Sequence, residues 1–191
     1  ANELSLVCAP LGIDVWELIR LANRHPRVDI LQPGPGVGGH CIAVDPWFIV
    51  RGSPRESRLI RTAREINDHK PDWVVAQVQA ALERLPAGRS ARVAVLGLAF
   101  KPDIDDLRES PALQIATRLH RGGITLMVAE PHIERLPDDL QAVPLVPARQ
   151  AVEQCDAVLV LVAHRNFSEL LPALRMHPCV IDTVGLIARS A

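Results

Sequence analysis

One cysteine of this 191-residue chain keeps company unlike the other three. Cys41 follows His40 at the end of a glycine-rich loop and stands four residues before Asp45. A thiolate is the side chain best able to attack a carbonyl near neutral pH, and a nearby carboxylate can place water or handle protons. Residue types alone leave three readings open: a catalytic nucleophile, a structural cysteine in a turn, or a cysteine hydrolase based on His40. The hydrolase needs the two side chains to meet, and adjacent side chains often point apart. A metal site is disfavoured, because no further ligands stand at metal-site spacing.

A second polar group follows an apolar run. Lys101 opens the stretch KPDIDDLRESP, in which Asp103, Asp105, Asp106, Arg108 and Glu109 crowd a loop. A lysine there can hold a phosphate or sugar oxygen as a point charge. The same acidic residues can equally be a solvated turn that favours a helix N-terminus. Arg24, His25 and Arg27 cluster at the end of a helical pattern, where cations suit the helix dipole. Gly34, Gly36 and Gly39 match the spacing GxGxxG. That fingerprint needs a strand before it and a helix after it. Pro33 and Pro35 flank the first glycine and Pro46 is expected to cut short any helix that follows, so the loop is not read as a dinucleotide site.

These groups must be positioned by two different kinds of chain. In the first half, Leu4, Val7, Cys8 and Leu11 repeat at helical spacing, as do Val15, Leu18, Ile19 and Ala22 behind the N-cap candidate Asp14. Residues 31–46 hold four glycines and three prolines and fit neither helix nor central strand. Ser53, Pro54 and Glu56 predict a capping box that opens the next helix. Pro71 either kinks that helix or starts another. Val74, Val78, Ala81, Leu82 and Leu85 form a long apolar stripe with little chain to cover it, which predicts a helix-mediated homodimer.

Around residues 86–90 the pattern changes. Residues 92–98 (RVAVLGL), 124–128, 157–162 (AVLVLV) and 179–181 read as buried strands, with a helix over 109–120. Strands alternating with helices predict a Rossmann-like parallel α/β sheet, with ligands beyond the carboxyl ends of its strands. The expected organisation is a helical dimerisation domain over 1–88, carrying the cysteine loop, and an α/β ligand-binding domain over 89–191. Phe100 and Lys101 then stand at the ligand edge.

Composition sets the outer limits. The chain is 48% hydrophobic and 23% charged with a net charge of −1, which argues against a dedicated basic nucleic-acid surface. No apolar run is long enough to span a membrane. The four cysteines form no CxxC pair, and Cys8, Cys155 and Cys179 lie among apolar residues, as reduced thiols do. With no leader visible, the expected location is the cytoplasm. The chain opens on Ala1 with helix-like sequence, so the expectation is a piece of something longer.

Four segments, taken together, resemble one family: the opening Asn2-Glu3, LANRHPRV at 21–28, PGPGVGGHCIAVDPWFI at 33–49 and GLAFKPDIDDLRESP at 97–111. The chain is similar to the UDP-glucose/GDP-mannose dehydrogenase family over nearly its whole length. The resemblance implies an NAD-dependent double oxidation of a UDP-sugar C6 alcohol to a carboxylate. The GGHCIAVDP form of the loop and the HPRV segment point, within the family, to UDP-N-acetylmannosamine and polysaccharide precursor synthesis. By motif position Cys41 would be the thiolate that captures the aldehyde, and Asp45 would help place water. Gly38 would let the backbone meet the sugar, and Phe100 and Lys101 would contact the UDP-sugar. His25 and Arg27 would reach the sugar site of a second subunit, and Arg108 its NAD.

Family members carry an N-terminal NAD-binding domain, a helical dimerisation domain and a UDP-sugar domain. The resemblance here begins partway into the middle one. It therefore implies a chain without the main NAD site, inactive by itself; the alternative is a UDP-sugar-binding and dimerisation module. One departure stands out. Many relatives carry Asp-x-Arg near the chain end, where this sequence has Asp182-Thr183-Val184-Gly185.

Overall fold

The computed structural model describes residues 1–85 and 91–188. The helical half opens with α1 (Asn2–Leu11) and α2 (Val15–Ala22). Asp14 caps α2 as expected, its carboxylate accepting the backbone N–H groups of Trp16 and Glu17. Cys8, Val15 and Ile19 bury together as a small satellite core. Val7 and Leu11 of the expected α1 stripe are exposed instead.

The loop does lead into a helix, α3 (Asp45–Gly52), with Pro46 in its first turn. The expectation that Pro46 would prevent one is corrected. The first turn needs no intrahelical N–H, so proline opens this helix rather than breaking it. Ser53 ends α3, its N–H donating to the Ile49 carbonyl at 2.9 Å, and does not open the next helix. Residues 54–56 form a turn, and α4 (Arg58–Glu83) starts beyond it, without the predicted capping box.

Helix α4 is one 26-residue rod that runs through Pro71. It packs on α1 and α3 of the helical half and on α5 and β3 of the other. Val74 and Val78 are fully buried in the sheet core. The apolar stripe that suggested an uncovered face is thus largely covered by the chain's own second half. The expected boundary at 88/89 lies outside the described residues.

The second half runs β1 (Arg92–Leu96), α5 (Pro111–Arg121), β2 (Thr125–Ala129), α6 (Ala148–Gln154), β3 (Ala157–Val160), α7 (Leu171–Met176) and β4 (Val180–Asp182). The four strands form a parallel sheet in the order β2-β1-β3-β4. Alternate residues face opposite layers. Val93, Val95, Leu126, Val128, Ala157 and Leu159 meet α4 and α5. Ala94, Leu96, Met127, Ala129, Val158 and Val160 meet α6, α7 and the 3-10 turn of Phe167 and Leu170. Burial on both faces is why these strands read as continuous apolar runs. The chain steps from β1 out to β2 and returns on the other side of β1 as β3. This creates a switch point, and a crevice, at the carboxyl ends of β1 and β3.

Candidate functional site at the sheet edge

The crevice is occupied by loops that carry the predicted residues. A cavity of about 200 Å³ opens there. Its walls are residues 99–102 after β1, 161–163 after β3, Val184 after β4, and 33–36 of the glycine loop. Lys101 lies at its exposed edge, its ammonium 5.6 Å from the Phe100 ring centroid.

The glycine loop reaches this edge because two anchors hold it. Asn2 of α1 accepts the Gly34 N–H at 2.8 Å and donates to the Asn67 side chain of α4 at 2.7 Å. Further on, the Gly39 N–H donates to the Arg108 carbonyl at 3.2 Å. Gly38 lies between those points with no room for a side chain. A Cβ there would stand 2.5 Å from the Glu109 carbonyl oxygen, 2.8 Å from Pro111 Cδ and 2.9 Å from Phe100 Cβ. At Gly39 a Cβ would meet the Phe100 ring at 3.0 Å, with φ at +85°. The glycines therefore serve the docking of one loop onto another. No strand precedes the loop, and the described residues offer no strand–turn–helix phosphate cradle of the dinucleotide kind.

Cys41 projects from the docked loop and is exposed. Its carbonyl accepts the N–H groups of Val44 at 3.0 Å and Asp45 at 2.8 Å, closing one tight turn into α3. Asp45, also exposed, is the first residue of that helix, where a carboxylate suits the dipole. Arg108 sits across from the turn. Bidentate bonds to Asp106 hold its guanidinium firmly protonated, and the charge of Cys41 adds to this. The same Arg108 contacts hold the Asp106 carboxyl down at about 2, with a smaller contribution from His40. The fold thus brings Gly38, Cys41, Asp45, Phe100, Lys101 and Arg108 into one neighbourhood. His25 and Arg27 lie apart, in the exposed turn after α2, where the His25 ring accepts the Arg27 N–H at 3.2 Å.

Two residues the sequence did not single out fix the Phe100–Lys101 loop from below. Glu130 follows β2 and is 5% exposed. Its carboxylate accepts the N–H groups of Leu98 at 2.7 Å, Ala99 at 3.1 Å and His132 at 3.2 Å. His164 follows β3 and is fully buried. Its Nδ1 accepts the Asp103 N–H at 2.9 Å, so the ring proton sits on Nε2 and points to Glu130 at 3.0 Å. Burial pushes the Glu130 carboxyl up, but His164 and the backbone donors outweigh it and hold the group below its ordinary range. Asp103 is held low by the Arg165 backbone N–H and side chain, at a left-handed φ of 61°. A polar residue immediately after a buried strand, at the edge where such sheets gather function, was the available signal.

Asp103, His132 and His164 offer ligand atoms within 4.8 Å of one another. Both His164 nitrogens are already committed, however, and Asp103 accepts from Arg165 through both oxygens. A metal would have to displace the bonds that hold the loop. Near the chain end, Asp182 accepts the N–H groups of Val184 and Ile187 and closes a turn through Gly185. Among the described residues, no arginine belongs to that turn.

Comparison with known proteins agrees with this architecture. Residues 1–69 match the central domain, and residues 94–189 the UDP-binding domain, of the UDP-glucose/GDP-mannose dehydrogenase family. A UDP-N-acetyl-D-mannosamine dehydrogenase of Escherichia coli K12 is 58% identical over 97% of this chain and 46% of its own length. An NDP-N-acetyl-D-galactosaminuronic acid dehydrogenase of Ralstonia nicotianae is 52% identical over 97% of this chain and 44% of its own. The solved structure of the UDP-N-acetyl-mannosamine dehydrogenase of S. aureus is 39% identical, with a TM-score of 0.80 over 97% of this chain and 43% of that one. The chain spans about half the length of the curated relatives it matches. With both domains matched in order and the parallel sheet in place, this chain belongs to the UDP-glucose/GDP-mannose dehydrogenase family.

Proposed function

We propose that this chain carries the covalent-catalysis and sugar-nucleotide half of an NAD-dependent nucleotide-sugar 6-dehydrogenase, with UDP-N-acetylmannosamine as substrate. One observation carries the reading: the exposed Cys41 thiol stands on a glycine loop docked against Phe100 and Arg108 at the sheet's ligand edge. NAD, when bound, would supply the hydride acceptor for both oxidations. The described residues do not form its fingerprint, so the dinucleotide would be held by the length of the relatives that this chain does not span.

The chain's own residues have separable tasks. Lys101, as a point charge beside Phe100, holds the UDP-sugar at the crevice. The Cys41 thiolate attacks the C6 aldehyde. A sulfur–carbon bond forms, and the carbonyl oxygen takes a proton to give a thiohemiacetal. After the second oxidation that adduct is a thioester. Water, oriented by Asp45, attacks its carbonyl, the sulfur–carbon bond breaks, and Cys41 returns as thiolate with the acid released. Gly38 keeps the loop close to the sugar. Arg108, His25 and Arg27 complete the site of a second subunit in a homodimer. Four free cysteines support a reducing compartment, the cytoplasm. Among the described residues no helix is long and apolar enough to cross a membrane. For the chain taken alone, the absent fingerprint favours a second reading, a UDP-sugar-binding and dimerisation module.

The test is NADH formation from UDP-N-acetylmannosamine. The 191-residue chain should give none, a chain of the relatives' full length should turn over, and Cys41→Ser in that longer chain should lose at least about a thousandfold. Sustained turnover by the short chain, or by the serine variant, overturns the assignment.

A further inference from the structure

The chain holds nineteen arginines and only two lysines. One, Lys101, is exposed at the sheet edge; the other, Lys70 of α4, is 2% exposed. Lys70 lines a second and larger cavity, about 620 Å³, framed by α1, α2, α4 and β4. None of Cys41, Asp45, Lys101 or Arg108 borders it.

We propose that this cavity is a binding site for a small monocarboxylate with a flat apolar body, its anionic end seated on Lys70. An ammonium group has three N–H donors. One donates to Ser5 Oγ at 2.6 Å, and the hydroxyl of Ser5, itself buried, donates to the Asn2 carbonyl at 2.6 Å. The Nζ also stands 3.9 Å from the Trp73 ring centroid. Among the described residues, no carboxylate lies in ion-pair range of Lys70. Burial without a counter-charge pushes its amine down to about 8, so near neutral pH a bound anion would meet a charge that lacks a partner.

Trp16 borders the same cavity, its indole nitrogen buried against Gly185. The acidic residues of the wall accept from backbone. Asp14 caps α2, and Asp182 accepts from Val184 and Ile187. The cavity therefore has a buried ammonium with N–H groups to spare, two indoles to flank a flat group, and a volume typical of small-molecule sites. Those spare N–H groups match the two oxygens of a carboxylate; a phosphate would need more donors. This inference stands apart from the dehydrogenase reading, since it concerns a different cavity.

The purified 191-residue chain can be titrated with 2-naphthoate and its neutral isostere 2-naphthamide by calorimetry. In parallel, acetic anhydride labelling read by mass spectrometry compares Lys70 with Lys101. One naphthoate should bind per chain, at least about tenfold more tightly than naphthamide, and slow Lys70 acetylation about tenfold while leaving Lys101 unchanged. Lys70→Met should abolish naphthoate binding. Equal binding of the amide and the acid, or unchanged Lys70 labelling at saturating naphthoate, overturns the proposal. These two wild-type arms decide the matter even where the methionine variant does not fold.

Discussion

At the scale of single residues, the four thiols divide by surroundings rather than by neighbours in sequence. Cys41 is exposed beside Arg108, while Cys8 is buried and burial pushes the Cys155 thiol up to about 11 and Cys179 upward as well. Of the four, only Cys41 is fully open to an incoming substrate. The loop facing it depends on Glu130, a buried carboxylate whose oxygens accept from three backbone N–H groups and from His164. Its folded-state carboxyl is held below the unfolded value, so the stability it contributes is complete above the ordinary carboxylate range. That contribution is lost as pH falls through the folded value. Glu130→Gln turns an NH2 toward donors on one side, and should cost about 2–3 kcal/mol at neutral pH by urea unfolding. The variant should also lose less stability than the wild type between about pH 5 and pH 3. An acid limb identical in both proteins would show that Glu130 does not carry the loop.

At the scale of elements, the site exists because a loop from the helical half docks on loops from the sheet half. Gly38 is the contact point, and what it meets is backbone and proline ring rather than a flexible side chain. Gly38→Ala should therefore force the loop away and cost about 1–3 kcal/mol. Gly52, at the end of α3 with nothing within 4 Å of its would-be Cβ, is the control. Gly52→Ala should be neutral or stabilise by up to about 1 kcal/mol. Equal effects of the two changes in chemical denaturation would refute the docking account. The same contrast explains what could be read in advance. Strands β1, β2 and β3 were legible because each is buried on both faces over nearly its whole length and so is almost continuously apolar. The helix after the glycine loop was not, because Pro46 suits a first turn as well as it breaks an interior one. Nor was the start of α4, since Ser53 is used to finish α3. The neighbourhood of Cys41, Lys101 and Arg108 was legible as motifs. The Glu130–His164 support was not, because a residue after one strand reveals its partner after another only once the sheet order is known.

At the scale of the whole molecule, the question is which apolar surface remains once the chain has covered what it can. The α4 stripe is no longer a candidate, since Val74 and Val78 are sealed into the sheet core. Apart from Met176 on α7, what stays open lies elsewhere on the helical half, including Val7 and Leu11 on α1, Phe48 and Ile49 on α3, and Leu59 near the start of α4. Phe48 alone is 69% exposed and Leu59 82%. Large side chains left in water on several helices of one half are what an unpaired subunit interface exposes. Our proposal of a homodimer therefore moves from the α4 stripe to these helices, beside the loop that carries Cys41. Phe48→Asp discriminates well. In a monomer, a charge at so exposed a position should change unfolding free energy by no more than about 0.5 kcal/mol. In a dimer seated on α3, the same charge is driven into an apolar contact and should split it. Sedimentation velocity should show the wild-type chain as a dimer and the aspartate variant as a folded monomer with an unchanged circular dichroism spectrum. A wild-type chain that stays monomeric up to high concentration would remove the dimer, and with it the shared role given to His25, Arg27 and Arg108.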